Sequence, residues 1–183
     1  LLILCFLLLG LSGLNLYWLK LDTRPHAYTD GYPEKTMNLA DGLRDQGIQT
    51  WPRHLYWATI GPRPSLYQAM ASPFVLFVER SPDGMLIVNT LFMIVLGLAV
   101  YQLGALAAGP LAGFLAALIV STYPLTLQLG MHARPHALLP ATTALVIMSM
   151  VLAIRRRTWP MAWLVAACLF LTFSIHASGI ILL

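Results

Sequence analysis

The stretch MLIVNTLFMIVLGLAVYQLGALAAGPLAGFLAALIVSTYPLTLQL, Met85 to Leu129, decides the fold class. It contains no Asp, Glu, Lys or Arg. A hydrocarbon core of about 30 Å is crossed by roughly 20 helical residues at about 1.5 Å rise, so the stretch is long enough to cross twice. Gly109-Pro110 breaks it in the middle, and a Gly-Pro pair is a turn signal. Crossings over 85–108 and 111–129 follow. Gly109, Gly113 and Ala117 recur at four-residue spacing, the small-residue stripe that lets two membrane helices approach closely.

Three more apolar runs surround this pair. Residues 1–19 carry no charge, and Tyr17, Trp18 and Lys20 sit at the end where an aromatic belt and a snorkelling lysine belong. A cleaved signal peptide would have a shorter apolar region and a small-residue cleavage site. Leu19-Lys20-Leu21-Asp22 is no such site, so a retained span is expected. Residues 137–154 run into Arg155-Arg156-Arg157, and 160–183 start with Trp159 and Trp163 nearby. Five crossings in a single all-α polytopic membrane bundle are therefore expected. The chain does not begin with Met and stops inside an apolar run, which reads as a fragment of a longer chain.

Composition agrees. Of 183 residues, 58% are hydrophobic and 10% charged, against about 25% charged in soluble domains. Mean hydropathy is +0.74. A soluble enzyme, a disordered chain and a nucleic-acid module are excluded. The formal charge of +4 is unevenly placed. All seven carboxylates lie between positions 20 and 83, together with seven of the eleven Lys and Arg residues. The excess comes from Arg134 and the Arg155–Arg157 triplet. Cys5 and Cys168 lie inside apolar runs and suggest neither a disulfide framework nor a zinc site.

The polar segment 21–82 is expected to be an outer loop with short interfacial helices. Pro33 suits a first helical turn and Gly47 a stop, which predicts a helix over 33–46. Leu66–Glu79 is apolar but too short to cross, and contains Pro73; it should lie in the interface or re-enter. The Arg triplet flanks a span and sets the cytoplasmic side. Counting back puts the N-terminus in the cytoplasm and the 21–82 loop outside, in the manner of a bacterial inner-membrane protein. Ionisable residues then gather near one face instead of deep within spans, which fits a membrane enzyme better than a transporter.

Two groups could carry chemistry. Asp30-Gly31-Tyr32-Pro33-Glu34 places two carboxylates at a helix start, where backbone N–H groups favour anions. They could serve as a general base or hold a divalent metal; equally, Asp-Gly is a common turn and Glu a common first-turn residue. Met131-His132-Ala133-Arg134-Pro135-His136 carries the single formal charge between Gly84 and Ile154. A guanidinium fork with flanking imidazoles suits a phosphate, and equally suits a lipid head group. Arg63-Pro64-Ser65-Leu66-Tyr67 could bring Arg63 to the head-group level, or simply anchor an aromatic belt. No Gly-rich phosphate loop, nucleophile elbow or Cys-x-x-Cys is present, and no cofactor is required by any motif.

In order, these parts resemble the N-terminal portion of the GT-C fold membrane glycosyltransferases, the protein mannosyltransferase and aminoarabinose transferase-like family. Thr29-Asp30-Gly31-Tyr32 resembles its acidic loop motif, with Gly31 where a second acid usually stands. Arg63–Tyr67 resembles its Pro-Leu-Tyr stretch. Gly109–Gly113, with Ser121-Thr122-Tyr123-Pro124, resembles its third-span pattern. His132–Leu139 resembles its outer-helix motif, with His136 where some relatives carry Asp. Leu171–Gly179, which includes His176, is similar to its next span. The resemblance implies a polyprenyl-phosphate-linked sugar donor, Asp30 and Glu34 in catalysis, and Arg63, Arg134, His132 and His136 on the donor phosphate. Partners would be membrane lipids, the lipid-linked donor and further membrane subunits. The rival expectation is a non-catalytic subunit of the same ancestry that scaffolds a larger membrane complex.

Overall fold

The computed structural model describes residues 2–21, 32–60, 66–78, 80–130 and 138–175. Those residues form an all-α membrane helix bundle, with no strand among them. The helices are α1 (Leu2–Leu21), α2 (Tyr32–Gln46), α3 (Trp51–Ile60), α4 (Leu66–Phe77), α5 (Leu86–Ala108), α6 (Pro110–Thr122), α7 (Pro124–Gly130), α8 (Leu139–Arg156) and α9 (Trp159–Ile175). Single turns of 3₁₀ helix precede α3 and α5.

By length and composition, the helix running Asp83–Ala108 and α8 can each cross a membrane, and α6 with α7 makes a third candidate. That third stretch, read from sequence as one crossing, is two helices inclined at 60°. The break falls at Tyr123-Pro124, since proline has no N–H to continue the ladder and pushes the residue before it to extended backbone; Tyr123 has ψ 128. Thr122 Oγ1 donates back to Leu118 O at 2.8 Å and satisfies a carbonyl at the end of α6. α9 is shorter, at 17 residues, and α4 at 12 is well under crossing length.

α5 and α6 make the tightest pair. Gly109, at φ 92, turns the chain where a side chain would be strained, and Pro110 starts α6. A Cβ on Gly104 would lie 2.8 Å from Gly113 Cα. The backbones touch through glycines, as the stripe suggested.

The bundle has two distinguishable ends. At one, Arg155 Nη2 donates to Leu106 O at 3.0 Å, so the last turns of α5 and α8 lie beside the Gly109 turn. At the other, Tyr67, Met85, Leu86, Leu138 and Ile175 share one buried core. This gathers α4, the start of α5, the start of α8 and the end of α9. α1 runs antiparallel to α5: Leu8 sits against Gly97, while Ser12 lies with Thr90 and Met93 on a cavity of about 20 Å³, room for one water.

α2, α3 and α4 form a cap on the second end. Gly47, at φ 86, ends α2 as expected. The apolar side of α2 includes Met37, Leu39, Ala40 and Leu43, with Ala40 and Leu43 buried and Thr36 beside them. α4 is largely covered: Leu66, Tyr67, Gln68, Ala69, Ala71, Ser72 and Val75 are buried. Pro73 inside α4 leaves the Ala69 carbonyl without its helical partner. Trp51 Nε1 donates to that oxygen at 2.8 Å, and Ser72 Oγ donates at 2.9 Å. α3 is thus pinned to α4 at the point where α4 lacks a bond. An exposed Arg80–Asp41 pair at 2.6 Å adds a weak tie.

A double-mutant cycle checks the pinning. Trp51→Phe should cost about 1 kcal/mol, the loss of one of the two side-chain donors to Ala69 O. In a Pro73→Ala background, where the backbone N–H returns, the cost should shrink. Equal costs in both backgrounds, from thermal unfolding in micelles, would show that the indole bond does not compensate for Pro73.

Candidate functional site

The site is built at the capped end, around Asn89. Asn89 lies one turn into α5 and is fully buried. Its Nδ2 donates to Gly130 O at 3.1 Å, tying α5 to the last residue of α7. Gly130 lies two residues before the His132–His136 stretch, and Leu138, fully buried, two residues after it. The chain therefore leaves and re-enters the described bundle at the same buried level.

Tyr67, the last residue of the Arg63–Tyr67 stretch, reaches that level from α4. It is fully buried. Its hydroxyl makes no well-formed hydrogen bond, but the Asn89 side chain is close enough to act on it. Burial pushes the phenol well above its ordinary range, and Asn89 offsets only part of that. Tyr67 therefore stays protonated and can only donate or accept a hydrogen bond; it does not supply a base. Asn89 thus sits between the described flanks of two separate motifs.

More polar atoms are buried on α3, α4 and α9. His54 Nε2 on α3, Gln68 Oε1 on α4 and Ser174 Oγ on α9 have no hydrogen-bond partner among the described residues. Each such group costs about 1–3 kcal/mol if it stays unmet, so buried groups of this kind mark places where water or a ligand completes the bonding. Neutral donors and acceptors of this type suit hydroxyl-rich ligands.

Of the candidate residues, Glu34 is described: it lies in the first turn of α2 and is exposed. Asp30, Arg63, His132, Arg134 and His136 lie outside the described residues, as do His26 and His176. Among the described residues no group of three or more His, Cys, Asp or Glu could hold a metal ion. Sequence reasoning missed Asn89, Gln68 and His54. Asn89 carried a usable signal, as the one amide between Met85 and Val100; Gln68 and His54 sit in mixed segments where polar residues are unremarked.

Residues 63–180 match the family model described as dolichyl-phosphate-mannose-protein mannosyltransferase. The match takes in nearly two thirds of the chain and runs from the Arg63–Tyr67 stretch through α9. The chain belongs to this family. It is therefore a member of the GT-C membrane glycosyltransferases and an integral membrane protein. No curated protein and no solved structure matches the chain. The family match begins at Arg63, so the Asp30 and Glu34 region lies outside it. Both stretches flanking Asn89 lie inside it.

Proposed function

We propose that the chain is the donor-binding and catalytic part of a glycosyltransferase that moves a sugar from a polyprenyl-phosphate-linked donor to an acceptor hydroxyl at the outer membrane face. In this reading the acceptor oxygen attacks the anomeric carbon, the bond to the lipid phosphate breaks with inversion, and the lipid phosphate leaves with the bonding electron pair. Asp30 takes the acceptor proton. Glu34 supplies the second carboxylate that Gly31 does not. Arg63, Arg134, His132 and His136 neutralise the departing phosphate, the other main requirement of the step. A divalent metal at the carboxylates is compatible with this scheme but not required by it.

The observation that carries the reading is the family match, taken with the geometry it covers. Two of its motifs have described flanks, Tyr67 and Gly130, that meet at Asn89. The buried polar atoms on α3, α4 and α9 add hydrogen-bonding capacity at the same end.

Five crossings, with the N-terminus and Arg155–Arg157 in the cytoplasm, complete the reading. The span-flanking Arg triplet supports that orientation. Single cysteines at the exposed positions Asp45 and Arg156 test it in intact cells. An impermeant thiol reagent should label position 45 and spare 156; the reverse pattern would put the capped end in the cytoplasm. Activity is tested by reconstituting the full chain in liposomes with a radiolabelled polyprenyl-phosphate sugar and following transfer to an alcohol acceptor. Failure to transfer from any such donor, with folding intact, would turn the reading to a scaffold subunit.

A further inference from the structure

We infer that the end of the bundle opposite the candidate site holds a binding site for an anionic phospholipid head group, at the turn between α8 and α9. The site does not depend on the proposed activity. An open hollow of about 260 Å³ lies there, lined by Ala153, Arg157, Thr158, Trp159 and Ala162. Its size suits a phospholipid head group. α8 has 18 residues, so this turn is about 27 Å from the capped end.

Charge decides what enters. Residues 84–183 contain no Asp or Glu. Arg156 and Arg157 are exposed and have no ion-pair partner among the described residues. Arg155 differs: its guanidinium is committed to Leu106 O. Two neighbouring cations with no carboxylate in the same half of the sequence favour an external anion beside them. The backbone fixes one of them at the hollow. Arg157 takes the left-handed conformation at φ 49, with its N–H donating to Ala153 O at 2.8 Å, so it caps α8 and faces the turn.

The neighbours of the hollow say that the anion carries acyl chains. Trp159 is 83% exposed and Trp163, one turn on, is 73% exposed. Indole rings so exposed at the end of an apolar helix belong at the head-group level of a bilayer. Arginines at that level each favour an anionic lipid surface by about 1 kcal/mol, roughly fivefold in binding. A phosphate diester with acyl chains satisfies the arginines with its head and the indoles with its glycerol and upper chain. A free phosphate ion would satisfy only the first.

The test uses the full chain in nanodiscs. Phosphatidylglycerol with brominated chains should quench tryptophan fluorescence more than brominated phosphatidylcholine at equal mole fraction. The excess should vanish in Trp159→Phe, Trp163→Phe protein, where both rings remain apolar and exposed. In detergent, phosphatidylglycerol should raise the unfolding temperature where phosphatidylcholine and inorganic phosphate do not. Arg156→Gln with Arg157→Gln should weaken the preference for phosphatidylglycerol roughly fivefold per arginine. Equal quenching by the two lipids, or an undiminished preference in the double glutamine variant, overturns the inference. A stabilisation by inorganic phosphate that matches the lipid would show an ion site with no lipid specificity, and overturns it as well. If the glutamine variants do not fold, the quenching comparison on the unsubstituted arginines decides alone.

Discussion

Asp30→Asn should reduce sugar transfer by about 10²–10⁴-fold while the protein remains folded and membrane-inserted. An alcohol is a poor nucleophile, and a positioned general base contributes rate enhancements of that size. The amide keeps the shape of the carboxylate and removes its basicity. Folding should survive because the described contacts that hold α2 to the cap run through Thr36, Ala40 and Leu43, and the amide is isosteric with the carboxylate. Glu34→Gln separates the two carboxylates. Glu34 is exposed on α2, so a loss of comparable size there would assign the base to Glu34, and a small loss would leave it with Asp30. Wild-type transfer in Asp30→Asn, measured with a polyprenyl-phosphate sugar, would remove Asp30 from the mechanism.

Parts of this architecture were legible because a single residue type forces a single backbone outcome. Gly109-Pro110 could only be a turn, and the structure puts φ 92 at Gly109. Gly47 ended α2, and the Arg triplet ended α8 within a residue or two of the expected position. The 60° break between α6 and α7 was signalled by Pro124 but was masked by the apolar residues on both sides, since hydropathy measures what a segment avoids and not whether it is straight. α4 shows the same limit more sharply. Its apolarity and its length of 12 residues ruled out a crossing. They did not reveal its neighbours, because a face made of Tyr67, Gln68, Ala69 and Ser72 is as compatible with a wet interface as with burial under another helix. The hydrogen bond from Trp51 to Ala69 O, a pairing across 18 positions of sequence that compensates for Pro73, ties α3 to α4. The candidate site divides in the same way. Charged residues stood out by rarity. Asn89 and Tyr67 matter through what they bring together, and no single-residue signal encodes that.

Gly113→Ala should be the most destabilising single-methyl change in the bundle, and its sign should be opposite to that of Gly42→Ala. Both glycines lie inside helices, α6 and α2, so propensity alone would favour alanine at each by up to about 1 kcal/mol. The surroundings differ. A Cβ at Gly42 would meet nothing within 4 Å, so Gly42→Ala should stabilise. A Cβ at Gly113 would collide with Tyr101 O and would lie 2.8 Å from Ala105 N. Those are backbone atoms of α5 and cannot rotate away. The α5–α6 pair must separate, which costs about 3 kcal/mol as overpacking and forfeits the close van der Waals contact that membrane helices rely on in place of a hydrophobic drive. The damage should also travel. α6 leads through Tyr123-Pro124 into α7, whose last residue accepts the Asn89 hydrogen bond. Moving α6 off α5 pulls Gly130 from Asn89 and loosens the flank of the His132–His136 stretch. Gly113→Ala should therefore lower the unfolding temperature in micelles and, in the protein that remains folded, weaken binding of the lipid-linked donor. Gly42→Ala should do neither. Equal stability of the two variants would mean that α5 and α6 are not held together through their glycines.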